Sequence, residues 1–229
     1  MIPLRDTIPS ATFPIVTAGL ITLNALAFLY ELSLGRDLDV FIMRYGAVPV
    51  RFIIAGRLED VSVIERFLPL FTSMFLHGGW LHIIGNMLYL WIFGDNVEDR
   101  LGHGRFIVFY LLCGLAAALA QIYLNPTSKI PMVGASGAVA GVLGAYLLLF
   151  PQARVLALIP IAFFLQIVEL PAFVFLLFWF FMQFLSGAVA ITNAPYMTGG
   201  VAWWAHIGGF VSGMALVYVF PKRKRQLWK

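Results

Sequence analysis

Six long runs of apolar residues, separated by short polar, Gly- or Pro-containing breaks, set the rhythm of this chain. They cover about Phe13–Leu32, His82–Arg100, Phe106–Leu124, Ser136–Phe150, Pro171–Ile191 and Val201–Phe220. A helix needs ~20 apolar residues to cross ~30 Å of hydrocarbon, so each run is predicted as a membrane span. The first run is full length with no small-residue cleavage site behind it, so a retained helix is expected, not a signal peptide. A long outer loop, residues 33–81, follows the first span, and a basic cytoplasmic tail, residues 221–229, follows the last. Ala153–Ile191 is too long for one helix and just long enough for a tight pair. Pro160 and Pro171 break it, with Gln166 and Glu169 between them. Arg154–Leu170 is read as an interfacial segment leading into a single span. The expected fold class is an all-α polytopic membrane protein, one six-helix domain over residues 1–229 with both termini cytoplasmic.

Composition agrees with that pattern. Hydrophobic residues make up 61 % of the 229 and charged residues 11 %, against ~25 % charged in a soluble domain. Too few charges remain to coat a soluble globule. One cysteine, Cys113, excludes an intrachain disulfide and a cysteine metal cluster. The net charge of +4 comes without a basic, aromatic-interleaved stripe, so no nucleic-acid partner is expected. In the six-span topology the cytoplasmic side holds Arg5, Arg100, Arg105, Arg154, Lys222, Arg223, Lys224, Arg225 and Lys229. The outside holds Arg36, Arg44, Arg51, Arg57, Arg66 and Lys129, five of them in a loop that also carries Glu31, Asp37, Asp39, Glu59, Asp60 and Glu65. Long loops count little in the positive-inside rule, and a seventh span would put the Lys222–Arg225 cluster outside.

Polar groups at membrane depth are costly and point to function. Here they are His77, His82, Asn86, Ser136 and His206, while His103 is assigned to a solvated cytoplasmic turn. Ser136, in Gly134-Ala135-Ser136-Gly137, follows the polar loop Asn125–Pro131 and opens a helix rich in small residues. About 15 residues from there to Phe150 span roughly 22 Å, some 8 Å short of the hydrocarbon. The loop must therefore dip below the outer surface, where irregular backbone survives only if protein buries it or it lines a wet cavity. Ser136 and His206 each lie fourteen residues before a Phe-Pro end, Phe150-Pro151 and Phe220-Pro221. On helices running the same way they reach the same depth. Gly137 and Gly141 on one helix, and Gly209 and Gly213 on the other, form small faces that allow close approach. A serine and a histidine so held make a nucleophile and its base. His82 and Asn86 share a helix face; the Asn86 amide, with His77 upstream, offers donors for an oxyanion. Metal binding by His77, His82, Asn86 and His206 competes, but no carboxylate or thiol joins them, and Glu169, the acidic residue near a span, lies at the opposite surface.

These residues together resemble the rhomboid family of intramembrane serine proteases. The resemblance rests on Leu70–Arg105, on Gly134-Ala135-Ser136-Gly137 and on Ala205-His206-Ile207-Gly208-Gly209. It implies a six-helix core and a Ser–His dyad that cuts proteins within or beside a transmembrane helix. Carried over by position, Ser136 is the nucleophile and His206 the general base. Asn86 is an oxyanion donor with the Ser136 N–H and His77, and His82, Gly134, Gly137 and Gly209 support the site. Glu98 and Arg100 match a charged pair at the inner end of the second helix. Ala140 stands where many relatives carry an aromatic against the imidazole, leaving Trp203, Trp204 or Tyr146 to orient the ring. Leu68-Pro69 stands where many relatives carry Trp-Arg.

The expected function is an intramembrane serine endopeptidase, with no cofactor and no metal. Its expected partners are transmembrane protein substrates and the lipid bilayer, with homo-oligomer formation left open. The alternative is a catalytically silent relative that binds membrane helices. No Arg/Ser-rich transit peptide precedes the first span, so a multi-pass protein of a prokaryotic plasma (inner) membrane is expected. Aromatics of the fifth span, Phe173, Phe175, Phe178, Trp179 and Phe180, are expected to gate substrate access against the second.

Overall fold

The computed structural model describes residues 1–55, 62–161, 164–192 and 200–223. Arg57, Glu59 and Asp60 of the outer loop and Lys224, Arg225 and Lys229 of the tail lie outside the described residues. Helices form at the six apolar runs, and the shorter helices and strands between them complete the element order. In chain order the elements are β1 (Ile2–Asp6), α1 (Ile15–Ser33), α2 (Leu38–Tyr45), α3 (Pro49–Ala55), α4 (Val63–Thr72), α5 (Trp80–Leu101) and α6 (His103–Leu124). They continue with α7 (Ser136–Leu149), β2 (Arg154–Ile161), β3 (Phe164–Pro171), α8 (Ala172–Thr192) and α9 (Trp203–Val219). Among the described residues three helices are long and apolar enough to cross a membrane: Ile15–Ser33, His103–Leu124 and Ala172–Ala190. Val63–Phe75 and Trp80–Leu101, meeting at 80°, make a fourth candidate as a bent pair, and α7 and α9 are shorter apolar helices. The outward faces of α1 and α8 carry half-exposed Leu23, Leu26, Leu29, Phe178, Phe181 and Phe184. Apolar surface on that scale needs lipid against it. The protein is integral to a membrane.

α7 is the central helix. Gly137 through Leu147 are all buried, as expected of a helix apolar on every side. Its partner is α9, and glycine sets their spacing. A Cβ built on Gly209 would lie 2.0 Å from the Gly137 carbonyl oxygen, and one on Gly213 would lie 1.9 Å from that of Gly141. Residue numbers rise together along this seam, so α7 and α9 run parallel. Around it Phe93, Phe106, Phe109, Tyr146, Phe175 and Phe210 build the main core.

The chain is mostly helical, which corrects the all-α expectation. Arg154–Leu170, read as an interfacial segment, forms most of a β-hairpin whose register runs from Arg154↔Pro171 to Ile161↔Phe164. The N-terminal β1 adds to it antiparallel, from Ile2↔Leu158 to Asp6↔Val155, giving sheet order β1-β2-β3. Pro160 has no donor for a ladder, and it falls beyond the part of β2 that β1 pairs with. The outer loop is also more ordered than expected. It contains α2, α3 and α4, the last opened by a capping box between Ser62 and Glu65; Leu68 and Pro69 lie within that helix.

Four expectations about ionisable residues change. Glu31, assigned to the outer loop, is on α1 and 2 % exposed, with its carboxylate accepting the His77 N–H at 3.1 and 3.2 Å. Glu98 is 1 % exposed and does not pair with Arg100; it accepts the Val16 and Thr17 N–H groups at 2.9 and 2.8 Å and the Thr17 hydroxyl at 2.7 Å. A carboxylate there satisfies orphan donors and complements the dipole of the α1 N-terminus. His103 is not simply solvated, since its Nδ1 meets the Glu98 carboxylate. Glu169 is therefore not the one acid near a span; it pairs with Arg154 across the hairpin at 3.5 Å.

The two described ends of the chain gather at one end of the bundle. Asp6 receives hydrogen bonds from Asn96 on α5 and Tyr146 on α7, and the Arg223 N–H donates to the Arg100 carbonyl at 2.7 Å. Ser136 and His206 are at the opposite ends of α7 and α9.

Candidate functional site

Ser136 is the first residue of α7, where the leading N–H groups lack intrahelical acceptors. The loop before it hangs from the outer segment. Ala47 and Met132 exchange backbone hydrogen bonds at 3.0 and 2.8 Å, and the Gly134 N–H donates to the Ser73 carbonyl at 2.8 Å. Gly134 has φ +123°, a conformation other residues rarely adopt. A Cβ there would lie 2.6 Å from His82 Nε2 and 3.5 Å from Asn86 Nδ2. The same close approach places both α5 side chains beside the serine loop. Gly137 gives equal clearance to α6, where an added Cβ would lie 2.6 Å from that of Ala117.

His206 lies in the first turn of α9 and is 8 % exposed. Its Nε2 is 2.8 Å from Ser136 Oγ. The start of α9 is tied to α6 by the Ala205 N–H, which donates to Gln121 Oε1 at 3.2 Å. Asn86, also 8 % exposed, donates through Nδ2 to His77 Nε2 at 3.0 Å. An amide NH₂ has two hydrogens and no acceptor, so His77 Nε2 is the acceptor and one Asn86 hydrogen remains. His82 stacks edge-on against His77 with ring centroids 5.2 Å apart. Ser136, His206, Asn86 and His82 all line one cavity of about 580 Å³, which runs between α5 and α8.

Among the three residues named to orient the imidazole, Trp203 touches it, edge-on at 6.1 Å. Trp204 packs on Phe184, and Tyr146 is at the other end of α7, bonded to Asp6. Two α8 residues complete the contact: Trp179, expected as a gate aromatic, and Gln183, absent from the sequence reading. Trp179 lies against the ring at 5.9 Å and 35°, and Gln183 Oε1 is 2.7 Å from Nδ1. Trp179 and Gln183 are four apart, hence on one helix face. A glutamine inside an apolar run was the available signal, under the same rule that singled out Ser136 and His206. Of the expected gate aromatics, Phe175 is buried against Tyr89 and Phe93 of α5, Phe180 packs on Phe210 of α9, and Phe173 and Phe178 face outward. Among the described residues no group of three or more His, Cys, Asp or Glu could hold a metal ion.

The family profile described as Rhomboid domain matches residues 65–223. Over 120 residues the chain is 34 % identical to Rhomboid protease GluP of Bacillus subtilis, covering 52 % of this chain and 21 % of that protein. Over 127 residues it is 31 % identical to Rhomboid protein 1, mitochondrial, of Saccharomyces cerevisiae, covering 54 % and 37 %. Over 165 residues it is 32 % identical to RHOMBOID-like protein 1 of Arabidopsis thaliana, covering 70 % and 37 %. The matched part of the chain spans between 21 % and 37 % of the length of these relatives.

Proposed function

The chain belongs to the rhomboid family, and from that premise we propose that it is an intramembrane serine endopeptidase working through a Ser136–His206 dyad. The observation that carries this reading is the 2.8 Å contact between His206 Nε2 and Ser136 Oγ inside the cavity. Ser136 Oγ attacks the scissile carbonyl while Nε2 takes its proton. The tetrahedral oxyanion is met by the Ser136 N–H at the α7 N-terminus and by the remaining Asn86 amide hydrogen. His77 holds that amide in place, and the Glu31 carboxylate holds His77 by its backbone N–H. His206 then returns its proton to the leaving amine, and water hydrolyses the acyl-enzyme by the same route in reverse.

The six apolar helices are six spans with both termini cytoplasmic. The parallel course of α7 and α9, and the meeting of Asp6 and Arg223 with one end of the bundle, support that topology. The substrates are membrane proteins with a transmembrane helix, admitted between α5 and α8. A silent helix-binding relative would have no use for a hydrogen-bonded serine and histidine on the cavity wall. The test is cleavage of a transmembrane test substrate in detergent, with fluorophosphonate labelling of the enzyme alongside. Labelling at Ser136 and a dead Ser136→Ala variant are expected. Cleavage by Ser136→Ala would overturn the proposal.

A further inference from the structure

A base can accept a proton only through a nitrogen that does not already carry one. Neutral imidazole has one N–H, and His206 Nε2 can take the Ser136 proton only while that hydrogen is on Nδ1. The group facing Nδ1 therefore decides whether the dyad works. That group is Gln183, whose Oε1 lies 2.7 Å from Nδ1. An amide turned the other way would present NH₂, force the hydrogen onto Nε2, and leave the imidazole donating to the serine. Trp179, one turn earlier on α8, lies against the ring and limits its rotation.

We propose that Gln183 is the positioning residue of this site, holding His206 in the Nδ1–H tautomer in place of a catalytic acid. This deepens the dyad reading and rests on it. Gln183 does not touch the reacting atoms, so its effect as a positioning group is read in turnover. α8 supplies the Nδ1 partner and the Trp179 face against the ring, so the base is competent only with α8 seated against α9.

The experiment measures kcat and KM on a transmembrane test substrate, and the rate of fluorophosphonate labelling, for variants that change what position 183 offers Nδ1. Gln183→Leu, which offers Nδ1 no acceptor, should lose roughly 10–10²-fold in kcat with KM within about twofold, the pattern of a group needed only on the way to the transition state. Gln183→Glu accepts only, and should recover at least half of the lost rate. Gln183→Lys donates only, and should be slower than the Leu variant. Wild-type kcat in Gln183→Leu, or equal rates for the Glu and Lys variants, would overturn the proposal. The Glu and Lys comparison stands even if the Leu variant fails to fold, because both introduce a charge at the same place. Cleavage by Ser136→Ala would instead overturn the dyad reading beneath it, whatever Gln183 does.

Discussion

Replacing Gly209 with alanine tests how the dyad distance is set. The added methyl would start 2.0 Å from the Gly137 carbonyl oxygen, and Cβ atoms essentially never come under 3.0 Å of another heavy atom. The obstacle is backbone on α7, which cannot rotate away, so α9 must retreat by about 1 Å or more. His206 is one turn from Gly209 on the same helix and moves with it. Nε2···Oγ, now 2.8 Å, would open to roughly 3.8 Å, outside hydrogen-bonding range. A misplacement of that size costs about 10²-fold in rate, or about 2.7 kcal/mol of barrier. Gly213→Ala meets the Gly141 carbonyl oxygen at 1.9 Å, two turns from the imidazole; it should destabilise as much and slow cleavage less. Gly19→Ala is the control, since nothing lies within 4 Å of a Cβ there, and alanine favours the helix by ~1 kcal/mol. The assay is kcat on a transmembrane test substrate with thermal unfolding of each variant. Wild-type turnover by a folded Gly209→Ala protein would refute the claim that backbone contact fixes the dyad.

Ser136→Ala and His206→Ala should each abolish cleavage with the double variant no worse, because groups acting as a unit are not additive; more than a few per cent activity in either would break the dyad assignment. Asn86→Ala should lower kcat by roughly 10²–10³-fold with little change in KM, and His77→Ala should fall less far, since the amide it holds survives; equal or reversed losses would exchange their roles. Cleavage in EDTA without nucleotide should match that in buffer, and loss on chelation with rescue by zinc would turn the histidines into a metal site. A substrate with Gly or Pro near its outer end should be cut faster than a poly-Leu span, because its helix unwinds at ~1–3 kcal/mol less cost per residue; the opposite order would argue against an unwinding step.

The apolar runs revealed the helices because a span is defined by length and hydropathy alone. Depth counted from Phe150-Pro151 and Phe220-Pro221 also brought Ser136 and His206 together, because parallel helices preserve depth over equal residue counts from their ends. The hairpin was illegible for a physical reason. An apolar run such as Arg154–Ile161 has no periodicity that separates strand from buried helix, and pairing with Ile2–Asp6 is a contact across about 150 residues. Glu31 and Glu98 looked like ordinary charges near span ends. Their burial depends on backbone N–H groups of His77, Val16 and Thr17 that only the folded chain presents. Gln183 was visible as a polar residue in an apolar run, but nothing in its spacing tied it to His206.

The two halves of the site differ in mechanical stiffness. The nucleophile and its base are spaced by bare backbone on backbone, a joint with almost no compliance. The serine loop and His77 are instead suspended from peripheral helices through Ala47, Ser73 and Glu31. Beside these anchors α4 shows Val63, Ile64, Phe67 and Phe71 to its surroundings, an apolar face that lipid would cover. Stripping lipid would therefore slacken the oxyanion side first, leaving an enzyme whose serine still reacts with a small phosphonylating reagent while its peptide turnover has already failed.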